Sequence, residues 1–252
     1  MAKKTYFING VGSGYLLGSD GSLLPLMEMQ DMTIDISSTM EQIYGGDGLF
    51  ALSTFVKEKS ASFTFTNAAF SLDMLKVGQG ATVSEGGEVF GRDEITIAGG
   101  SGSLTVTSKV DVSSVIVVDE YGKPFSKVES NPAAGQFAVT TGGVLTFASQ
   151  DNGKIVNVRY IYTDKDAETA SILTTSVPGF VELQHISAPL EQPDGEVIEV
   201  HTRVFKARSD GKIQIDFKRG AAFAPKMTFQ SLDPQRKDKG FVSIVIKKLK
   251  RN

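Results

Sequence analysis

A mostly β fold, an antiparallel β-sandwich or barrel, is predicted by three observations. Apolar and polar residues alternate with period two along most of the chain, glycine-centred pairs separate the runs, and only one segment has helical spacing. In chain order, Met32, Ile34 and Ile36 alternate with Thr33, Asp35 and Ser37, and Phe63 and Phe65 with Thr64 and Thr66. One buried and one wet sheet face would write this pattern. Phe70, Met74 and Val77 then stand at i, i+4, i+7, with Asn67 or Ser71 available to cap the start and Gly78 the end. That spacing predicts one short helix over about 68–77, packed on a sheet by the three-residue stripe. Further on, Val156, Val158, Tyr160 and Tyr162 resume the alternation, as do Ile213, Ile215 and Phe217. Asp47-Gly48, Gly86-Gly87, Gly142-Gly143, Asn152-Gly153 and Asp210-Gly211 are the turn signals. The last lies between strand-like runs at 197–207 and 212–218, which predicts a long hairpin.

The middle of the chain has its own composition, poor in Met and rich in Gly, Ser, Thr and Val. Ala98–Ser103 reads as a flexible lead-in, followed by strand candidates at 104–107, 112–119, 136–140, 144–148 and 154–162, spaced as in a small sandwich. The expected organisation is one discontinuous β domain, 1–97 with 177–252, interrupted by a β module over 98–176.

The 252 residues are 40% hydrophobic, enough for a sizeable core. No stretch approaches the ~18 apolar residues of a membrane helix, and the N-terminal apolar run is too short for a secretory segment. The absence of Cys removes disulfides, thiol nucleophiles and Cys-based zinc sites, and two histidines, His185 and His201, leave little for His-based chemistry. Charge is unevenly divided: net −6 over 1–97, −2 over 98–177 and +5 over 178–252. Such a division suits contacts between copies as well as within one.

Candidate chemistry is sparse. Gly10-Val11-Gly12-Ser13-Gly14 lacks the Gly-Lys-Ser/Thr ending of a phosphate loop, and Gly78-Gln79-Gly80 follows a helix rather than a strand. Asp93/Glu94 and Asp119/Glu120 are neighbours that a strand would point to opposite faces. His201 shares a strand face with Glu199, Arg203 and Phe205 and suits a half-exposed structural histidine. The basic C-terminal stretch, Arg236, Lys237, Lys239, Lys247, Lys248, Lys250 and Arg251, has only Phe241 beside it for base stacking. It reads as a solvated arm or a subunit contact, with Arg236, Lys237 and Lys239 the candidate contact residues. The expectation is a protein without catalytic residues, metal or cofactor.

Met40-Glu41-Gln42-Ile43-Tyr44-Gly45-Gly46-Asp47-Gly48-Leu49-Phe50-Ala51-Leu52-Ser53, leading into Lys57–Thr66 and then Phe70-Ser71-Leu72-Asp73-Met74-Leu75, resembles bacteriophage tail tube (major tail) proteins. Val197–Ala207 with Lys212–Phe217 resembles the long tube hairpin, and Phe229–Gln235 follows it. Gly135–Phe137, Gly143–Phe147 and Val156–Tyr160 resemble an immunoglobulin-like insertion found in some of these proteins.

The resemblance implies hexameric rings closed by a sheet continued from chain to chain, stacked into a tube that conducts DNA into the host. It implies as partners other copies of the chain, a tape measure protein, a tail terminator, baseplate or tail tip proteins, and a sheath if the tail is contractile. It also implies DNA passing without specific binding, no membrane, a place in the virion tail, and host cytoplasm during assembly. The segment 40–58 is expected to be a loop making the contact between rings through Ile43, Tyr44, Asp47, Leu49 and Phe50, because exposed apolar side chains call for a cover. Packing on its own domain is the other way to cover them. A capsid decoration or other surface-binding virion protein fits the same composition.

Overall fold

The structure, a computed structural model, describes residues 5–215, 219–220 and 224–249. It begins with strands β1 (Ser13–Gly18), β2 (Leu23–Leu26), β3 (Met29–Ile43) and β4 (Ser53–Asn67), then helix α1 (Leu72–Gln79). Next come β5 (Thr82–Thr96), β6 (Ser101–Ser103), β7 (Val110–Asp119), β8 (Ser126–Lys127), β9 (Gln136–Val139), β10 (Val144–Phe147) and β11 (Ile155–Ser171). β12 (Phe180–Ile186), β13 (Leu190–Glu191), β14 (Val197–Ser209), β15 (Lys226–Ser231) and β16 (Val242–Leu249) complete the described elements. The fold is mostly β, in several antiparallel sheets with one α-helix among the described residues.

Two compact units divide the chain: 1–83 with 170–252, and 84–169. Composition puts the junctions at 97/98 and 176/177. They fall elsewhere because β5 and β11 pair with each other and carry the inner unit's limits to residues 84 and 169.

In the first unit the sheet runs β2-β1-β12-β14-β15-β4-β3, with β13 and β16 also paired to β14. Phe229 lies directly opposite Phe63, and Met227 opposite Phe65. The Phe63 and Phe229 rings stack at 4.8 Å and Phe65 follows 6.0 Å from Phe229. Cross-strand aromatic pairing on a buried face thus sets both register and core. Met74, Leu75 and Val77 of α1 are buried, with Met74 and Val77 in this aromatic core.

The helix begins later than its sequence pattern suggests. Phe70 precedes it and is 39% exposed. The buried residues of the helix are Met74, Leu75, Val77 and Gly78. Gly80, rather than Gly78, ends the helix. Its φ of +70° is left-handed, and the N–H groups of Gly80 and Ala81 donate back to Lys76 O and Leu75 O. A Cβ at Gly80 would collide with the Val177 carbonyl.

The expected hairpin of 197–207 with 212–218 is not formed by the described residues. β14 instead pairs with β16, from Val197↔Leu249 to Val204↔Val242, and passes its last residues, Ala207–Ser209, to β15. Asp210-Gly211 does turn, but Lys212–Ile215 is not a strand, and Asp216–Lys218 lie outside the described residues. Several apolar runs compete for one strand edge, and alternation alone does not choose among them. The C-terminal stretch is correspondingly not an arm through Leu249. Lys247 and Lys248 sit on β16, 3.6 Å from Glu199 and 2.9 Å from Glu196. Lys250 and Arg251 lie outside the described residues.

The inner unit has a sheet β5-β11-β7 and a sheet β6-β10-β9-β8, the latter with β8 and β9 parallel. Val117, Phe137, Leu145, Val156 and Val158 form its core. The lead-in at 98–103 is ordered: Gly99 and Gly100 have φ +59° and +71°, and Ala98 and Ser101 exchange backbone hydrogen bonds of 3.1 Å. Two successive positive φ values make the tight turn that feeds β6. Thr105, in a segment expected to be a strand, is held instead by Asp93, which accepts from its N–H at 2.7 Å and its hydroxyl at 2.8 Å. β5, which carries Asp93, is a strand that the sequence pattern does not announce.

Candidate assembly surface

Residues 40–58 are the far end of one long hairpin. β3 and β4 pair from Met29↔Asn67 to Ile43↔Ser53, and Leu52 N–H donates to Ile43 O at 2.8 Å to close a loop over 44–52. The loop is therefore shorter than the sequence suggests, with strand-paired flanks. Ser37 and Ser60 hydroxyls meet across the strands at 2.8 Å, and Glu41 and Lys57 at 3.2 Å. The Tyr44 hydroxyl donates to Gln42 Oε1. A register shift between Thr39 and Met40 bends this outer part.

Burial divides the hairpin sharply. β4 alternates buried and half-buried from Ser60 to Asn67, whereas Ser53–Lys59 is exposed on both faces, and β3 is exposed throughout from Asp35. The five sequence-predicted assembly residues lie together at this end. Leu49 and Phe50 are 93% and 88% exposed, and Ile43, Tyr44 and Asp47 are exposed as well. Met40, Leu52, Phe55 and Val56 join them and escape the sequence reading. Their signal is present in part: Leu52 closes the apolar run Leu49-Phe50-Ala51-Leu52, and Phe55 and Val56 are neighbours that put apolar side chains on both faces of β4. The chain's own domain does not cover this tip.

A second surface lies beside the middle of the same hairpin, at Lys59. The loop from Leu232 to Gly240 folds over β14, where the guanidinium carbons of Arg236 and Arg203 sit 3.9 Å and 4.9 Å from the Phe205 ring. Arg203 also donates to both carboxylate oxygens of Glu182, at 2.7 Å and 2.9 Å. Burial pushes the Glu182 carboxyl up, but the hydrogen bonds from Arg203 and Gln184 outweigh it and leave it below the usual carboxylate range. Arg236 forms a bidentate pair with Asp238 at 2.7 Å and 2.9 Å, holding the Asp238 carboxyl well below its ordinary value. Gln235 and Lys239 have φ of +55° and +54°, and the Asp233 and Asp238 carboxylates accept the Gln235 and Gly240 N–H groups. The result is an open cleft of about 620 Å³ between this loop and Lys59. Of the basic residues predicted as contacts, Arg236 and Lys239 line it, and Lys237 does not.

Catalytic geometry is not assembled around the two histidines. His185 lies opposite Thr202 and His201 opposite Ile186, so the register points them to opposite faces of the sheet. His185 Nε2 meets Val11 O, and His201 Nε2 lies 3.4 Å from Glu199. Among the described residues no cluster of three His, Asp or Glu is placed to hold a metal ion. No described helix is long and apolar enough to cross a membrane.

An open β sheet with a projecting, apolar-tipped hairpin defines a structural protein that works through its surfaces. A model of the YomU/Tube protein family matches residues 7–245, and the chain belongs to that family. Membership gives it a structural role in the tail tube, located in the virion tail and assembling into a tube. The chain is also similar to the tail tube protein of Bacillus phage SPR, 24% identical over 219 residues that cover 85% of this chain and 78% of that protein.

Proposed function

We propose that the chain closes into hexameric rings, and that stacked rings form the tube through which DNA passes into the host. The observation that carries this reading is the β3–β4 hairpin, whose outer half leaves both faces and an apolar tip in solvent. A patch of that size is costly to leave in water unless another subunit covers it. The tip, through Ile43, Tyr44, Asp47, Leu49 and Phe50, makes the contact between rings.

Lateral contact uses sheet edges. Among the described strands β16 pairs only with β14, and it carries Ile244 and Val245, each more than half exposed. An unpaired apolar edge is a template for another strand, and continuing the sheet into a neighbour pairs it. The inner unit, 84–169, is the immunoglobulin-like decoration of this scheme, which the tube does without. Net charge of −3 suits a lumen that holds duplex DNA loosely. Tape measure, terminator, tail tip and, in a contractile tail, sheath proteins are the remaining partners, met in the host cytoplasm.

Negative-stain electron microscopy at rising concentration tests the reading, with Tyr44→Ser/Phe50→Ser beside the parent. Tubes of uniform width from the parent, and single rings or folded monomers from the variant, are expected. A parent that stays monomeric while binding preformed capsids would replace the tube reading with a decoration role.

A further inference from the structure

The hairpin carries its plug at the tip, and midway along, where β4 emerges from the core, it borders a cavity. The cleft is bounded by Lys59 on β4, by Leu232, Pro234, Arg236 and Lys239 of the β15–β16 loop, and by Phe241. Its lining combines apolar and cationic side chains. Arg236 is already held by Asp238, whereas Lys59 and Lys239 have no carboxylate partner among the described residues. Asp233 is the single acidic residue of the lining, and it is engaged by the Gln235 N–H at 2.7 Å. At the other end, residues 42–55 contain one charge, Asp47, beside Tyr44, Leu49 and Phe50. An apolar tip with one carboxylate thus matches a partly apolar cleft with two uncommitted ammonium groups. At about 620 Å³ the cleft has room for side chains the size of Leu and Phe, within the ~300–1,000 Å³ range of sites that enclose small ligands.

We infer that this cleft is the socket for the hairpin tip of a second copy of the chain. The inference rests on the tip being the contact between rings and names the surface that receives it. Tip and socket cannot meet within one molecule. The strand Ser53–Lys59 alone spans about 20 Å at ~3.3 Å per residue, and the loop extends beyond it. A plug at the tip and a socket at the base of the exposed half make a head-to-tail contact, and where the rotation between copies does not close it, copies add along the hairpin direction without limit. Each addition advances by roughly the length of the exposed hairpin, on the order of 30 Å. The strained backbone at Gln235 and Lys239, pinned by the Asp233 carboxylate and the Arg236 carbonyl, holds the rim of the socket in place before binding, which lowers the ordering cost of the contact.

The chain has no cysteine, so an engineered pair reports alone. Leu49→Cys with Leu232→Cys, treated after assembly with a short bis-maleimide, whose two alkenes each add one thiolate, is expected to yield a ladder of dimers, trimers and higher species on a denaturing gel. Each single variant should stop at dimers or remain monomeric. Assembled tubes giving no ladder overturn the socket while leaving the tip reading intact. If Tyr44→Ser/Phe50→Ser assembles as the parent does, the tip reading itself fails. A charge exchange gives a second readout: Asp47→Lys or Lys239→Asp alone should raise the concentration needed for assembly about tenfold, the equivalent of ~1.4 kcal/mol. Together they should restore it, and no rescue by the pair overturns the proposed match. In the single variant Leu232→Cys, protection of the new thiol from reagent by duplex DNA in unassembled protein, rather than by assembly, would assign the cleft to nucleic acid instead.

Discussion

Phe50→Ser separates assembly from folding more cleanly than any other single change. Phe50 is 88% exposed in its own chain, so its replacement removes almost no intramolecular burial. Surface substitutions of this kind stay within about ±0.5 kcal/mol of parental stability, which corresponds to a melting shift of roughly 2 °C or less for a chain of this size. If a second copy covers the Phe50 ring, its full burial contributes about 1.5–3 kcal/mol per contact. Each contact then weakens roughly 10- to 150-fold on its loss. In the proposed hexameric ring six contacts would act together, so the loss across one junction between rings would be on the order of 9–18 kcal/mol if they add. Sedimentation velocity across a concentration series, with microscopy of the same samples, should show that Phe50→Ser no longer forms long tubes. Thermal melting should barely move. A melting point lowered by more than about 5 °C would mean that Phe50 packs within its own chain, and tubes at the parental concentration would mean that the tip bears no contact.

Three further outcomes concern the fold. Phe229→Ala opens the stacked Phe63–Phe229–Phe65 core and should cost about 3–5 kcal/mol in chemical denaturation. Gly80→Ala forces a side chain into a left-handed residue against the Val177 carbonyl and should cost about 1–3 kcal/mol by the same assay. Asp151 is fully buried and accepts from Lys154 Nζ at 2.7 Å and the Gly135 N–H at 2.9 Å. Burial raises its carboxyl, but these two bonds prevail and hold it below the ordinary aspartate value. A depressed folded-state value means that its stabilisation is present above the unfolded pKa of about 4 and is lost as pH falls through the folded value. Asp151→Asn should therefore destabilise the inner unit by about 1–2 kcal/mol near pH 7, with a smaller penalty below about pH 4. Thermal melts from neutral to strongly acidic pH measure that convergence, and an undiminished penalty at low pH would refute it.

Much of the fold is legible in the sequence because its main signal is local. Period two at Met32–Ile34, Phe63–Phe65 and Val156–Tyr160 states which face of each strand meets the core, and each of these stretches is a strand; at Ile36 the alternation continues where β3 has already left the core. The helix is legible in existence but not in its bounds, because Phe70, apolar and correctly spaced, reads by pattern as a helical residue although it precedes Leu72, where the helix begins. β5 escapes the pattern because Gly87, Gly91 and Asp93 interrupt its half-buried face between Val89 and Ile95, and Phe90 stands on the exposed one. The partner of β14 is hidden for a different reason. A run such as Ile213–Phe217 and a run such as Val242–Ile246 are both apolar enough to pair, and only competition for one edge in three dimensions selects between them.

The same division holds for the assembly surface. By itself the sequence determined the strand faces, the presence of one short helix and an apolar, glycine-rich segment at 43–50. These depend on residue type and spacing over a few positions. Only the tertiary structure decided that this segment is the bare tip of a hairpin and that Lys59, Leu232, Arg236 and Lys239 surround one cleft beside its middle. From Lys59 to Leu232 is more than 170 positions along the chain. Exposure is a property of what fails to pack against a residue, and no local pattern records the absence of a distant neighbour.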